Sequence, residues 1–213
     1  MQVIDDAGFS KAWPGVCEGV ALIGSVQVKG RASIGGNVCN GSPAADSVPG
    51  LIAADAVATI IGPDGTREEP VENIVTGPGK TSLGEGEFIV SFGLPARPPH
   101  SGDCYLRLTP RTEMDIAVVG VGANLTLDDR GVCTAARIAV GAVAPTPLLV
   151  ADAAAALVGT TVDDAAMEGM IAAVRAACNP ISDKRGTREY RIKTAGVIAR
   201  RAVEKALERA EAN

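Results

Sequence analysis

The spacing of apolar residues changes from a strand pattern to a helix pattern within the second half of the chain, and this change restricts the fold more than any other feature. Three apolar, strand-like runs come first, at residues 105–108, 116–127 and 132–143. Three segments with helical spacing follow Pro145 and Pro147, at residues 149–157, 161–178 and from about Thr187 onward. Three strands followed by three helices predict an α+β domain with an antiparallel three-stranded sheet.

The first half of the chain mixes both patterns. Apolar residues at helical spacing predict one helix over residues 9–23, with Pro14 in its first turn. Strands are expected at residues 56–62 and 87–94. The turn Pro63-Asp64-Gly65 follows the first of them, so we expect a hairpin there.

The length and charge of the chain narrow the class of protein. Its 213 residues suffice for one large domain or two small ones. Residues 96–103 contain two adjacent prolines and no periodicity, so we expect domains at residues 1–97 and 98–213. A net charge of −5 and an aromatic content of only 3% argue against nucleic-acid binding, because they leave little positive charge and few stacking surfaces.

The cysteines and the N-terminus predict a cytoplasmic protein. The five cysteines are odd in number and contain no C-x-x-C pair, so we expect buried thiols in a reducing compartment. Asp5 and Asp6 stand where a signal peptide carries positive charge, and no apolar run is long enough to span a membrane. A single histidine, His100, excludes a multi-histidine metal site, and we expect no metal and no catalytic side chain.

Two nucleotide-binding motifs are absent. Gly77-Pro78-Gly79-Lys80-Thr81 resembles the end of a P-loop, but Ile74 occupies the place of the required first glycine. Gly120-Val121-Gly122 lacks the third glycine of the Rossmann fingerprint, because residue 125 is leucine. We therefore expect neither a nucleotide triphosphatase nor a Rossmann domain.

The segment from Gly24 to Asp46 is rich in glycine and has no amphipathic period, so we expect a loop that ends at a helix beginning with Ser42-Pro43. Within it, Ser33-Ile34-Gly35-Gly36-Asn37 is the most informative cluster. Adjacent glycines let the backbone approach a ligand and turn N–H groups toward an anion such as phosphate. A tight glycine turn without a ligand is the alternative.

The same cluster carries a family resemblance. The segments QVKGRASIGGN (residues 27–37) and SPAAD (residues 42–46) resemble the signature of the FAD-binding medium subunit of molybdenum hydroxylases, the family of carbon monoxide dehydrogenase and xanthine dehydrogenase flavoproteins. Further segments resemble the same family at residues 77–87, 105–116 and 183–191. The resemblance implies the second subdomain of a PCMH-type FAD-binding domain followed by the family's C-terminal domain.

The resemblance also implies the site. Positions that match the family's cofactor contacts are Ile23, Ser33, Ile34, Gly35, Gly36, Asn37, Asp46, Ile89 and Arg107. The family usually has lysine at the position of Arg107, and a guanidinium keeps its charge but is bulkier. The implied function is electron transfer from a molybdenum-cofactor large subunit, through a [2Fe-2S] small subunit, to FAD and then to an external acceptor.

The family's FAD domain begins with another subdomain, whose glycine-rich loop supplies much of the pyrophosphate contact, and the resemblance found here starts only at about Trp13. We therefore expect this loop to come from a separate polypeptide, or the sequence to be a fragment or truncated product. An FAD-free assembly module that docks the partner subunits is the alternative function, and a remnant without partners is a third.

Overall fold

The computed structural model describes residues 2–213, and its first half combines short helices with two small antiparallel sheets. The helices are α1 (Gln2–Asp5), α2 (Ala7–Ala12), α3 (Pro14–Ala21), α4 (Val26–Lys29), α5 (Ile34–Cys39) and α6 (Ser47–Ala53). The strands are β1 (Val57–Gly62), β2 (Gly65–Pro70), β3 (Val75–Gly77), β4 (Lys80–Thr81) and β5 (Phe88–Gly93). One sheet has the order β2-β1-β5, and β3 pairs with β4 in the other.

The second half is a four-stranded antiparallel sheet followed by three helices. Its strands, in spatial order, are β6 (Ser101–Leu108), β7 (Val119–Leu127), β8 (Cys133–Gly141) and β9 (Leu148–Leu149). Its helices are α7 (Ala151–Leu157), α8 (Asp164–Ala177) and α9 (Arg188–Ala212). This arrangement confirms the predicted α+β class. The short strand β9 was not predicted, because two residues are too few to show a period.

The predicted helix over residues 9–23 is wrong as a single element. The chain breaks at Trp13, and Pro14 is the first residue of a separate helix, α3. The preceding helix, α2, begins after Asp6, whose carboxylate accepts a hydrogen bond from the Phe9 N–H at 2.8 Å. The apolar spacing continues across the break because Phe9 and Ala12 of α2, although only partly buried, pack against the same core as Val16 and Val20 of α3. For this reason the pattern resembled one helix.

The segment from Gly24 to Asp46 is not a continuous loop. Ser25 and Ser33 each cap a short helix, α4 and α5, by accepting hydrogen bonds from Val28 N–H and Gly36 N–H. No helix begins at Ser42, whose hydroxyl instead closes a turn with Ala44 N–H. The next helix is α6, which starts after Asp46.

In the second half, the start of helix α8 differs from the prediction. Helix α8 begins after Asp163, whose carboxylate accepts from Ala166 N–H at 2.9 Å, and so starts later than the predicted segment at residues 161–178. Helix α9 starts where it was predicted, directly after Thr187, whose hydroxyl caps it by accepting from Tyr190 N–H.

The four-stranded sheet is buried on both faces and joins the two halves. Helices α7, α8 and α9 cover one face and form one hydrophobic core with it. Helix α6, which is buried along its whole length, packs on the other face against β7 and β8. Gly102 in β6 lies so close to α9 that a Cβ atom there would overlap the carbonyl oxygen of Ala206. The sheet therefore serves as the common wall of both halves.

A cluster of charged side chains connects α3 with α9 and β6. Glu18 accepts a hydrogen bond from Arg209 at 2.6 Å and another from Tyr105 N–H at 2.9 Å. Asp103, nearly fully buried, accepts from Gly15 N–H at 2.8 Å and pairs with Arg97 at 2.6 Å. Each carboxylate satisfies donors from two different parts of the chain, so the cluster holds the first half onto the second.

We expect Glu18→Gln to lower the free energy of unfolding by about 2 kcal/mol at pH 7, because charge-assisted hydrogen bonds are lost. Burial opposes ionisation, but hydrogen bonds from Arg209 and Tyr105 N–H hold the pKa of Glu18 below its ordinary value. The stabilisation is thus present above the ordinary carboxylate pKa and disappears as the pH falls through the lowered one. The difference between the proteins should therefore shrink below about pH 4.

Urea unfolding at several pH values measures this difference. Glu204→Gln is the control, because Glu204 also lies beside an arginine, Arg200, but on the exposed side of α9. This control should change stability by less than about 0.5 kcal/mol. Equal effects of the two substitutions would contradict a special role for Glu18.

Candidate functional site

A cleft of about 340 Å³ lies between the short helices and the sheet of the first half. Its lining residues come from α1, the end of α3, the α4–α5 region and strand β5: Gln2, Val3, Ile4, Val20, Ile23, Lys29, Ala32, Ser33, Ile34, Gly35, Ile89, Val90 and Phe92. The lining is mainly apolar, with Gln2, Lys29 and Ser33 as its polar side chains. This composition is typical of small-molecule sites, in which a few polar groups orient a largely apolar ligand.

The N-terminus of α5 supplies hydrogen-bond donors at this cleft. Ser33 uses its hydroxyl to accept from Gly36 N–H at 3.0 Å. The N–H groups of Ile34 and Gly35 precede the first helical hydrogen bond, and within residues 2–213 no acceptor is bonded to them. Nearby, the ammonium group of Lys29 donates to the carbonyl oxygen of Ile23 at 3.4 Å. These donors make this end of the cleft suitable for a negatively charged group.

A second cavity, of about 360 Å³, adjoins the cleft and is more apolar. The two share Gln2, Val3, Ile34 and Phe92 as lining residues, so α1 and the start of α5 lie along their common border. The second cavity extends inward to Val16 and Leu51 of the hydrophobic core.

Behind the cleft lies a buried carboxylate, Asp46, with two partners from β6. Tyr105 donates its hydroxyl hydrogen to one oxygen at 2.8 Å, and Arg107 binds the other at 2.7 Å. Arg107 also donates to the carbonyl oxygen of Leu22, the residue before Ile23. Burial raises the pKa of Asp46, and its two partners lower it in part. Burial also raises the pKa of Tyr105 well above its ordinary value, so the tyrosine remains a neutral donor.

The predicted site residues fall into two groups. Those that line the cleft are Ile23, Ser33, Ile34, Gly35 and Ile89. Those that lie outside its lining are Gly36, Asn37, Asp46 and Arg107. The second group contacts the structure around the cleft: Asp46 and Arg107 pair with each other, and Asn37 accepts a hydrogen bond from Ser47 at 2.6 Å.

Sequence reasoning missed three residues that matter to this region. Lys29 and Phe92 line the cleft, and Tyr105 binds Asp46. Lys29 was part of the quoted signature, and its charge beside a glycine cluster could have singled it out. Nothing local in the sequence indicates that Tyr105 and Asp46, 59 positions apart, come together.

The cysteines and ionisable clusters add no second site. All five cysteines are free, and four are buried as predicted, whereas Cys39 on α5 is exposed. In the part of the chain that the structure describes, no group of three or more His, Cys, Asp and Glu side chains is placed to hold a metal ion. The helices of residues 2–213 include none with both the length and the apolar character needed to cross a bilayer.

Comparison with protein families agrees with this architecture. Residues 1–97 match the model of the FAD binding domain in molybdopterin dehydrogenase, and residues 105–206 match that of the CO dehydrogenase flavoprotein C-terminal domain. An FAD-binding domain followed by this C-terminal domain defines a class of flavoprotein subunits of oxidoreductases.

Individual relatives lead to the same class. The chain is 30% identical over 207 residues to the xanthine dehydrogenase FAD-binding subunit of Escherichia coli O157:H7, covering 97% of this chain and 70% of the relative. It is 35% identical over 198 residues to the carbon monoxide dehydrogenase medium chain of Afipia carboxidovorans, covering 93% and 68%. The chain therefore belongs to the family of FAD-binding medium chains of carbon monoxide and xanthine dehydrogenases, as its motifs predicted.

Solved structures share the fold. The CO dehydrogenase of Oligotropha carboxidovorans superimposes with a TM-score of 0.93 at 33% identity, covering 97% of this chain and 72% of that chain. Quinoline 2-oxidoreductase from Pseudomonas putida 86 superimposes with a TM-score of 0.86 at 26% identity and similar coverage.

We expect Tyr105→Phe to destabilise the protein by about 1–3 kcal/mol at pH 7, because the buried Asp46 carboxylate loses one of its donors. The pKa of Asp46 is already raised by burial and should rise further. A raised carboxylate pKa favours the protonated form, so the destabilisation should be smaller near pH 4 than at pH 7.

Chemical denaturation at both pH values measures this effect. Tyr190→Phe is the matched control, because the Tyr190 side chain is largely exposed and its hydroxyl binds no carboxylate among the described residues. A Tyr105→Phe protein with wild-type stability at pH 7 would show that Asp46 does not depend on this hydrogen bond.

Proposed function

We propose that this chain binds FAD in the cleft and acts as the electron-transfer subunit of a molybdenum hydroxylase complex. The observation that carries the proposal is the convergence of five of the nine predicted residues, from three separate segments, on one cleft: Ile23; Ser33, Ile34 and Gly35; and Ile89. The proposal also includes Gly36, Asn37, Asp46 and Arg107 as residues close to the cofactor. It keeps the domain division at residues 1–97 and 98–213.

The residues present fit an FAD at this place. A Cβ atom at Gly35 would come no closer than 3.9 Å to any neighbouring atom, so the protein itself leaves space above this glycine. That space, together with the N–H groups of Ile34 and Gly35, suits a close approach of a phosphate group. The cleft is near the lower limit of ligand sites, about 300 Å³, so it would hold part of the dinucleotide.

FAD supplies the redox chemistry when bound, because its isoalloxazine ring accepts and releases electrons. The chain's own residues would bind and orient it. Ile23 and Ile89 would exclude water from the cleft, while Lys29 and the α5 amides would face the phosphates. The pair of Asp46 with Arg107 would keep a fixed arrangement of charge behind Leu22 and Ile23.

The same proposal names the partners and the compartment. Electrons would arrive from a molybdenum-cofactor large subunit through a [2Fe-2S] small subunit and leave to an external acceptor. The free cysteines support the predicted cytoplasmic location.

Purification of the chain, alone and co-expressed with candidate molybdenum and iron–sulfur subunits, tests this function. We expect a yellow protein with flavin absorption, and co-purification of the three subunits. A colourless protein that still co-purifies with its partners would instead support the FAD-free assembly module. A colourless protein without partners would contradict both.

We expect Gly35→Ala to weaken FAD binding by roughly tenfold without destabilising the fold. The added methyl group would occupy the cleft and hinder the cofactor. Because Gly35 lies within α5 and alanine is the better helix former, the same substitution should raise the free energy of unfolding by up to about 1 kcal/mol. Flavin fluorescence titration and thermal unfolding measure the two effects separately.

Gly30→Ala is the control for this substitution. Gly30 follows α4 and does not line the cleft, and a Cβ atom there meets its nearest neighbour at 3.4 Å. This variant should bind FAD as the unchanged protein does. If Gly35→Ala bound FAD equally well, the cofactor would not approach the chain at this glycine.

A further inference from the structure

Helix α6 lacks the cap that its own sequence should provide. The first N–H groups of a helix need acceptors, and an aspartate at the preceding position is among the best residues to supply one. Asp46 holds this position, but its side chain makes no capping bond. Its two oxygens bind Tyr105 and Arg107 instead. The start of α6 therefore needs an acceptor from elsewhere in the chain.

Asn37 on α5 provides that acceptor. Its side-chain oxygen accepts a hydrogen bond from the Ser47 hydroxyl at 2.6 Å and a longer one from Ser47 N–H at 3.4 Å. Ser47 is the first residue of α6 and is completely buried. An N–H group can only donate, so the amide oxygen of Asn37, rather than its nitrogen, must face the helix.

We propose that Asn37 caps α6 from the neighbouring helix, and that Ser47 is a positioning residue that holds α5 in place through this bond. Helix α5 has only six residues, too few to be stable without tertiary contacts. Asn37 lies one turn after Ile34, which lines the cleft together with Gly35. A capping bond in the middle of α5 thus fixes the cleft wall to the buried helix α6.

The effects of removing the two partners should differ. Asn37→Ala leaves the Ser47 hydroxyl and N–H without an acceptor in a buried place. Ser47→Ala removes only the hydroxyl bond, because the backbone N–H of residue 47 can still donate to the half-buried oxygen of Asn37. An unsatisfied buried donor is the larger penalty, so the first variant should loosen α5 more than the second.

Hydrogen exchange of the full chain without cofactor tests the cap directly. We expect the hydrogen-bonded backbone amides of residues 36–40 to exchange roughly tenfold faster in Asn37→Ala and roughly threefold faster in Ser47→Ala. The double variant should exchange no faster than Asn37→Ala, because the buried hydroxyl that Asn37→Ala leaves unpaired is no longer present. Asn37→Asp keeps an acceptor oxygen and should restore the protection of α5. If Asn37→Ala does not fold, Ser47→Ala and Asn37→Asp still decide the question.

Asn40→Ala is the matched control. Asn40 ends the same helix, is exposed, and its side chain makes no hydrogen bond within residues 2–213. Its substitution should leave the exchange of residues 36–40 unchanged. Wild-type exchange in both Asn37→Ala and Ser47→Ala, or equal acceleration by Asn40→Ala, would overturn the cap.

The positioning role rests on the proposed function and has its own measurement. Ser47 does not line the cleft, yet Ser47→Ala should weaken FAD binding by roughly threefold in a fluorescence titration. Faster exchange with unchanged FAD affinity would keep the cap but overturn the positioning role. If the unchanged protein bound no FAD, the proposed function would fail, while the exchange experiment would still decide whether Asn37 caps α6.

Discussion

The buried carboxylate of Asp46 joins three parts of this molecule. It lies at the start of α6, receives hydrogen bonds from two residues of β6, and through Arg107 reaches the carbonyl oxygen at the end of α3. A buried charge is stable only when such partners are present. Helix, sheet and cleft wall therefore depend on one another, and the diversion of Asp46 into this network is what leaves α6 to be capped by Asn37.

The elements that could be predicted are those whose apolar residues repeat with the period of a strand or a helix. Strands β1, β7 and β8 and helices α8 and α9 show a clear apolar period, because each buries one face or most of its length. Strand β5 shows the period as well, although none of its residues is fully buried and Phe88 and Val90 are exposed. Helices α4 and α5 show none, since four and six residues give no period and only the caps Ser25 and Ser33 mark them. A single serine is too common a signal to define a helix by itself.

The candidate site was predictable in part. The family resemblance named five residues that line the cleft, including Ile89 and three of the glycine segment, and their contact with FAD stays a prediction. It did not separate residues that line the cleft from residues that hold its walls, such as Asn37 and Asp46. That distinction depends on the depth of burial and on partners distant in the chain, Ser47 and Tyr105. The spacing of residues in the sequence shows neither.

The close approach of Gly102 to α9 has a mechanical consequence. Two backbone surfaces in direct contact leave no room for sliding, since any axial shift of the 25-residue helix would drive a side chain of α9 into strand β6. Helix and sheet are therefore tightly coupled at this contact. Arg107, which binds Asp46, lies near the other end of the same strand.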